Sequence, residues 1–180
     1  QLTAESGMTE LLKEDLRQSI VEEMNLFYSS KVMAEIESHK NYKNEYEVYC
    51  EEGDHYLYGI IDKLIFEKDK LIIIDYKTDD IPQANLSSRA KNYIPQLTFY
   101  TYVLSKLYKK YSLFELRLVF LKHPDELISK TINGSHLEIF KTTLNEAIEK
   151  IYSNQFKPNF DHCRECHFAL EGNKCVKSFS

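Results

Sequence analysis

The segment from Tyr58 to Thr78 reads YGIIDKLIF, EKDK, LIIIDYKT. Two runs rich in Ile and Leu flank the four polar residues 67–70, and this pattern is typical of a β-hairpin. Each run carries one carboxylate among apolar neighbours, Asp62 in the first and Asp75 in the second, and Lys77 follows two residues after Asp75. The segment therefore predicts two buried strands that bring three charged side chains into an apolar setting.

The register of this hairpin can be counted. A symmetric turn over residues 67–70 places Phe66 opposite Leu71 and, further along, Asp62 opposite Asp75. Opposed residues on antiparallel strands share a face, with Cβ atoms about 5 Å apart, and Lys77 returns to that face roughly 7 Å along the strand. We therefore expect the two carboxylates and the ammonium group to form one small patch.

Two opposed carboxylates in a half-buried sheet repel each other unless they are protonated or bind a cation. Carboxylate ligands suit Mg²⁺ or Mn²⁺, and such a metal can activate water and bind a phosphoryl oxygen while Lys77 neutralises developing charge. This pattern favours phosphodiester hydrolysis, with Asp62, Asp75 and Lys77 as catalytic residues. The alternative is that Asp62 and Asp75 are strand-end residues paired with Lys63 and Lys77.

The pattern Gly59-Ile60-Ile61-Asp62, followed by Ile73-Ile74-Asp75-Tyr76-Lys77-Thr78, resembles the RecB-type branch of the PD-(D/E)xK nucleases. In that branch a helix carrying Gln-x-x-x-Tyr follows, and here it is Gln96 to Tyr100, preceded by Tyr93. The resemblance spans roughly residues 45–175. It implies a restriction-endonuclease-like α/β core, a metal bound by Asp62, Asp75 and the Tyr76 carbonyl, and Tyr93, Gln96 and Tyr100 as residues that hold the substrate strand or support the site.

Pro95 suits the first position of the helix after the hairpin, since proline has no backbone donor to lose there. Gln96 and Tyr100 are four residues apart and so share a face of this helix.

The rest of the chain predicts helices over the first 40 residues, a strand over Glu45–Cys50, a polar loop over 81–91, a strand over Phe114–Leu121 and a closing helix over Ser135–Tyr152. The predicted order is helices, three strands, helix, strand, helix. This is an α/β fold with a central mixed sheet, which contains an antiparallel hairpin and is flanked by helices.

At 180 residues and 43% hydrophobic content, the chain predicts one domain over 1–180. No apolar run approaches the roughly 20 residues that span a bilayer, and no signal peptide is present, so we expect a soluble cytoplasmic protein without membrane contact. The chain begins with Gln1 rather than Met, which suggests an excised C-terminal fragment. A net charge of −5 argues against a basic nucleic-acid-binding surface, but the helicase domains of a parent protein could deliver the strand.

Glu45 is a further candidate metal ligand. A first turn centred on Gly53 and Asp54 places Glu45 opposite Asp62, whereas a shift of one residue turns it away. The resemblance also implies a histidine from an upstream helix, but the first histidine here is His39. We expect His39 and His55, at a helix end and in a turn, to be solvated.

The C-terminal segment 158–180 contains Cys163, Cys166 and Cys175, and Cys50 is the one cysteine upstream. A Cys-x-x-Cys pair with a third cysteine nearby can bind a metal. By resemblance to iron-sulfur relatives, these cysteines with Cys50 could hold a [4Fe-4S] cluster. The alternatives are a Zn²⁺ site completed by His162 or His167, a cluster whose fourth ligand lies outside this chain, or free thiols.

The sequence thus predicts a Mg²⁺- or Mn²⁺-dependent deoxyribonuclease. We expect an exonuclease that degrades single-stranded DNA in repair or recombination, as part of a RecB- or Add-type helicase-nuclease or as a stand-alone relative. Two other readings stay open: a catalytically inactive nuclease-fold module that binds DNA or supports assembly, and a cysteine-cluster interaction domain.

Overall fold

The computed structural model describes residues 2–155, 169–170 and 174–175, with side chains from residue 13 to residue 155. The elements in chain order are α1 (Leu2–Tyr28), α2 (Lys31–Ser38), β1 (Tyr42–Glu52), β2 (His55–Phe66), β3 (Lys70–Lys77), a 3₁₀ turn (Gln83–Asn85), α3 (Leu86–Leu107), β4 (Leu113–Phe120), β5 (Ile128–Ile132), α4 (Gly134–Tyr152), β6 (Ala169–Leu170) and β7 (Lys174–Cys175).

Strands β1 to β5 form one mixed sheet in the order of the sequence. The pairs β1–β2, β2–β3 and β4–β5 are antiparallel, whereas β3 and β4 run parallel. A parallel pair needs a long crossover, and α3 supplies it between β3 and β4. The predicted α/β fold is confirmed: a five-stranded mixed sheet flanked by helices, consistent with a restriction-endonuclease-like core.

The register of the central hairpin agrees with the count from the sequence. Phe66 pairs with Leu71, and the ladder continues to Lys63 opposite Ile74. The ladder stops one position before Asp62 and Asp75, so both carboxylates stand where the two strands cease to pair. The hairpin of β1 and β2 also has the register expected from a turn centred on Gly53 and Asp54, since Glu52 pairs with His55.

Alternate residues of β3 pack against helices on the two faces of the sheet. Ile72 and Ile74 are fully buried in a cluster with Phe27 of α1 and with Met33 and Ile36 of α2. On the other face α3 contacts the sheet and buries apolar residues that include Leu97, Val103 and Leu104. The position of Asp75 and Lys77, at the end of β3, is therefore supported from both sides.

The predicted loop over 81–91 and the predicted helix start at Pro95 are wrong. α3 begins at Leu86, and Pro95 lies inside it. An internal proline removes one backbone hydrogen bond and costs about 3 kcal/mol. The first turns of the helix are retained because Leu86 and Ala90 are buried against the rest of the fold. Tertiary packing thus overrides the local signal.

The predicted element order also lacks β5. This strand has five residues, and only Ile132 is fully buried, so its apolar pattern is weak. It pairs with β4, where Ile132 lies opposite Phe114.

A network of charged residues joins α2 to the sheet. Arg117 of β4 is only 8% exposed, and its guanidinium lies 2.6 Å from Glu35 of α2 and 2.7 Å from Glu115. Lys70 of β3 lies 2.6 Å from Glu115. His39, which caps α2, is 2.9 Å from Glu35 and has a side chain only 17% exposed, so the expectation that His39 is solvated is wrong.

The described residues form two compact units, one within residues 1–140 and the other within residues 141–180. The prediction of one domain over 1–180 stays a prediction. Among the described helices, none combines the length and apolar character needed to cross a bilayer.

Candidate active site

Asp75 and Lys77 form a tight ion pair on β3. The Lys77 ammonium lies 2.6 Å from Oδ2 of Asp75, and Asp75 is only 3% exposed. Burial raises the pKa of Asp75 above its ordinary value, the adjacent Lys77 ammonium opposes this rise, and the negative charge of Asp62 adds to it. The charged form of this buried carboxylate is therefore stabilised by the adjacent Lys77 ammonium, and a further cation would stabilise it more.

Asp62 accepts a hydrogen bond from the backbone of the neighbouring strand. Its Oδ2 lies 2.9 Å from the Tyr76 N–H, at the position where the β2–β3 ladder has ended. This bond brings the Asp62 carboxylate beside β3, at the residue that lies between Asp75 and Lys77. The three residues that the sequence singled out are thus brought together.

Gln96 and Tyr100 of α3 form a chain of contacts that ends at Lys77. The Lys77 ammonium is 3.5 Å from Oε1 of Gln96, at the outer limit of a hydrogen bond, and the Gln96 amide donates to the Tyr100 hydroxyl at 2.9 Å. Tyr100 is 8% exposed and packs on β2 at Gly59. A Cβ at Gly59 would lie 2.6 Å from the Tyr100 ring, so the glycine is required for this close approach.

A second set of contacts reaches Lys77 through Tyr93. The Lys77 ammonium lies 4.3 Å from the centroid of the Tyr93 ring, a cation–π distance. The Tyr93 hydroxyl donates to Asp79 at 2.8 Å, and Arg89 donates to the same carboxylate at 2.6 Å. Burial alone would raise the pKa of Asp79, but the bonds from Tyr93 and Arg89 lower it below its ordinary value. Asp79 therefore remains a charged acceptor that orients Tyr93.

Sequence reasoning missed Asp79 and Arg89 because both lie at or near the segment expected to be a polar loop. The helical segment before Pro95 offered one signal, since Arg89 and Tyr93 are four residues apart and share a helix face.

Glu45 is exposed, with a positive φ of 45°, and it interrupts the β1–β2 ladder between Asn44 and Tyr46. It lines a cavity of about 650 Å³ that Asp62 also lines. The structure thus places Glu45 near Asp62 across a cavity rather than as a directly paired neighbour.

The two aspartates fit a hard divalent cation. Oδ2 of Asp75 is buried and, within the described residues, receives no hydrogen bond of acceptable angle although Lys77 is close. A buried carboxylate oxygen in this state is stabilised by a cation, and carboxylate oxygens are the ligands of Mg²⁺ and Mn²⁺. In the part of the chain with described side chains, no group of three or more His, Cys, Asp and Glu residues is arranged to bind a metal.

The other predicted ligands are placed as follows. Tyr76 packs its ring edge-on against Phe27 at 5.5 Å, and burial, then Asp62 and Tyr28, raises its pKa to about 12. Cys50 is a partly buried free thiol whose pKa is raised by burial and by Glu52. His55 begins β2 and is partly buried rather than solvated.

The predicted iron-sulfur or zinc site lies outside the described residues. This applies to Cys163 and Cys166, to His162 and His167, and to the side chain of Cys175, whose backbone belongs to β7.

A family model of the PD-(D/E)XK nuclease superfamily matches residues 4–169. The chain belongs to this superfamily. Nucleases of the superfamily typically use Mg²⁺ or Mn²⁺ and bind DNA, in agreement with the carboxylate pair found here. No curated protein matches the sequence of this nuclease.

Two solved structures are similar to this nuclease. The crystal structure of SSO0001 is 16% identical with a TM-score of 0.47, over 97% of this chain and 76% of that one. A protein described as a candidate exonuclease, from Eubacterium rectale, is 15% identical with a TM-score of 0.45, over 88% of this chain and 61% of that one. Both TM-scores lie below 0.5, and neither likeness bears on activity.

Proposed function

We propose that this nuclease is a RecB-type, Mg²⁺- or Mn²⁺-dependent deoxyribonuclease that degrades single-stranded DNA. The ordered set of Asp62, Asp75, Lys77, Gln96 and Tyr100 supports the assignment. The observation that carries it is the buried pair of Asp75 and Lys77, 2.6 Å apart, beside a second carboxylate. A structural ion pair alone would not need the two further sets of contacts that hold Lys77.

In this proposal each residue of the site has a role. Asp62 and Asp75, with the Tyr76 carbonyl and Glu45 as further candidates, would hold the cation. When bound, Mg²⁺ or Mn²⁺ supplies a Lewis acid that activates water and neutralises phosphate charge. Lys77 places a positive charge beside Asp75, where it stabilises the charge that develops on the phosphate or orients the attacking water.

Tyr93, Gln96 and Tyr100 act in this proposal mainly as supports for Lys77. Gln96 contacts the ammonium at 3.5 Å and Tyr93 places its ring 4.3 Å from it. A lysine side chain is flexible, and fixing it in one position lowers the entropy that must be lost in the transition state. Contact of these residues with the substrate strand remains part of the proposal.

We also propose that the cellular role is exonucleolytic processing in DNA repair or recombination in the cytoplasm, within a RecB- or Add-type helicase-nuclease. The net charge of −5 supports such a partnership, because the chain as a whole repels a polyanion and partner helicase domains would deliver the strand.

The test measures cleavage of an end-labelled single strand in Mn²⁺. We expect Asp62→Ala and Lys77→Ala to abolish cleavage while circular dichroism shows an intact fold. Asp69→Ala is the matched control, since Asp69 is an exposed carboxylate at the turn of the same hairpin. Undiminished cleavage by Asp62→Ala or Lys77→Ala would overturn the assignment.

A second candidate is a catalytically inactive nuclease-fold module that binds DNA or supports assembly. The observation in its favour is that the described residues contain no three-ligand metal cluster. A Mn²⁺ titration distinguishes the two functions, because the inactive module binds the strand at every Mn²⁺ concentration and forms no product.

A further inference from the structure

Next to Asp62 the fold contains a cavity of about 650 Å³, which we call the Tyr42 cavity. Aromatic side chains form much of its wall: Phe27 and Tyr28 from α1, Tyr42 from β1 and Tyr76 from β3. A volume of this order is within the usual range for small-ligand sites, and Asp62 places it at the candidate active site. None of the catalytic roles described above uses these aromatic walls.

Two of the four rings are unusually exposed. Tyr28 is 57% exposed and Tyr42 is 45% exposed, whereas Phe27 is only 6% exposed. The Lys63 ammonium lies 4.1 Å from the centroid of the Tyr42 ring, and this contact holds the ring in place although its surface is open. Exposed, oriented tyrosine rings provide flat apolar surface on which another aromatic ring can stack.

The cavity also contains an amide in a defined orientation. Lys63 is buried, at 8% exposure, and donates to Oδ1 of Asn44 at 3.0 Å. Because this bond uses the carbonyl oxygen, the two N–H groups of Asn44 remain as donors, and they form no hydrogen bond within the described part of the chain. A ligand with an acceptor on the edge of a flat ring would satisfy them.

The charge of the cavity argues against a phosphate group as the occupant. Three carboxylates, those of Glu37, Glu45 and Asp62, line it together with the single ammonium of Lys63. Asp62 and Glu45 are candidate ligands of the cation proposed above, and within the described residues the three carboxylates are not arranged as a separate metal site. The occupant that fits is a neutral aromatic ring with a polar edge.

We propose that the Tyr42 cavity receives one unstacked nucleobase of the DNA strand, next to the phosphate that the cation proposed at Asp62 and Asp75 would bind. The inference rests on the proposed nuclease function and adds a specific base-binding site to it. Stacking on Tyr42 and Tyr28 replaces the stacking that the base loses in the strand, and Asn44 donates to an acceptor on its edge. Such a site fixes the position of the neighbouring phosphate relative to Asp62 and Asp75.

The experiment measures binding by fluorescence anisotropy, in EDTA and in Ca²⁺, with a labelled strand of about six nucleotides, short enough to limit alternative registers. A series of strands carries one abasic residue at each position in turn. We expect one abasic position to weaken binding by about tenfold, in line with the loss of one stacked base, while the other positions have little effect.

The variant Tyr42→Ala should weaken binding of the intact strand by a similar factor and should make the intact and abasic strands equal. Asn44→Ala, at an exposed position, is a second variant that leaves the aromatic walls intact and should weaken binding of the intact strand alone. Tyr56→Ala is the matched control, because Tyr56 is a 75% exposed tyrosine of β2 that does not line the cavity. It should leave both affinities unchanged.

Equal affinity for every abasic strand, absence of binding, or equal weakening of intact and abasic strands by Tyr42→Ala would each overturn the base site. These outcomes are separate from the test of the nuclease function. If the abasic effect is found and no variant or wild-type protein cleaves in Mn²⁺, the proposed hydrolysis is wrong and the base site stands.

Discussion

The contact between Gly59 and Tyr100 offers a sharp test of how the active site is held. In Gly59→Ala the new Cβ would lie 2.6 Å from Cε1 and 3.0 Å from Cδ1 of the Tyr100 ring. Carbon atoms in contact are about 3.5–4.0 Å apart, so the ring must retreat by about 1 Å. Since Tyr100 is buried, this overpacking should cost about 1–3 kcal/mol, reduced by about 0.5 kcal/mol because alanine suits a strand better than glycine.

The same movement should reduce activity more than stability. A retreat of about 1 Å lengthens the bond between Gln96 and the Tyr100 hydroxyl, now 2.9 Å, beyond hydrogen-bonding range. Gln96 then no longer holds Lys77, and a misplacement of about 1 Å in an active site costs about 100-fold in rate. We therefore expect Gly59→Ala to lower the single-turnover cleavage rate by about this factor, with urea denaturation reporting the smaller stability loss.

Gly134→Ala is the matched control, because a Cβ at Gly134 meets no atom within 4 Å. A second check is the double variant Gly59→Ala with Tyr100→Ala, in which the clash is absent. Its cleavage rate should equal that of Tyr100→Ala alone, since the two changes act through one contact. Wild-type activity in Gly59→Ala, or strictly additive losses in the double variant, would refute this reasoning.

Tyr93→Phe keeps the ring beside Lys77 and should retain more cleavage activity than Tyr93→Leu, by about tenfold, whereas equal rates would exclude a cation–π role. Arg117→Met leaves two glutamates without their shared partner and should lower the free energy of unfolding in urea by about 2 kcal/mol, and an unchanged value would contradict a stabilising network. Burial raises the pKa of Glu115, but hydrogen bonds from its two basic partners hold it below the ordinary 4.5. A lowered pKa gives stability that is present above pH 4.5 and lost as the pH falls, so Glu115→Gln should show a flatter decline in thermal-melt series, and an identical decline would count against this assignment.

The hairpin was predictable because its signals are local. Four polar residues between two apolar runs leave few registers, and the period of two in a strand then fixes which residues oppose each other. The pairing of Phe66 with Leu71 and the contact of Lys77 with Asp75 both follow from that count. The end of the ladder at Lys63 could not be counted, because it depends on how the strands diverge and on the bond from Tyr76 to Asp62.

The start of α3 was not predictable from the same kind of signal. Proline is typical of the first turn of a helix, so Pro95 predicts a start there. The turns before it are helical because Leu86 and Ala90 are buried against the rest of the fold. The support of Tyr93 by Asp79 depends on those turns, so it was missed for the same reason.

The role of Gly59 likewise required tertiary structure. Gly59 belongs to the motif that the sequence shows. The reason why a glycine is required there is the approach of the Tyr100 ring from α3, and this approach is visible only in the folded chain.

The most direct test of the account is the single-turnover cleavage of an end-labelled single strand by wild-type protein and by Asp75→Ala over a series of Mn²⁺ concentrations. We predict cleavage by the wild-type protein that rises with Mn²⁺ and saturates, and no product from Asp75→Ala at any concentration, although its circular dichroism spectrum is unchanged. Equal cleavage by the two proteins would show that the buried carboxylate beside Lys77 is not part of the catalytic site.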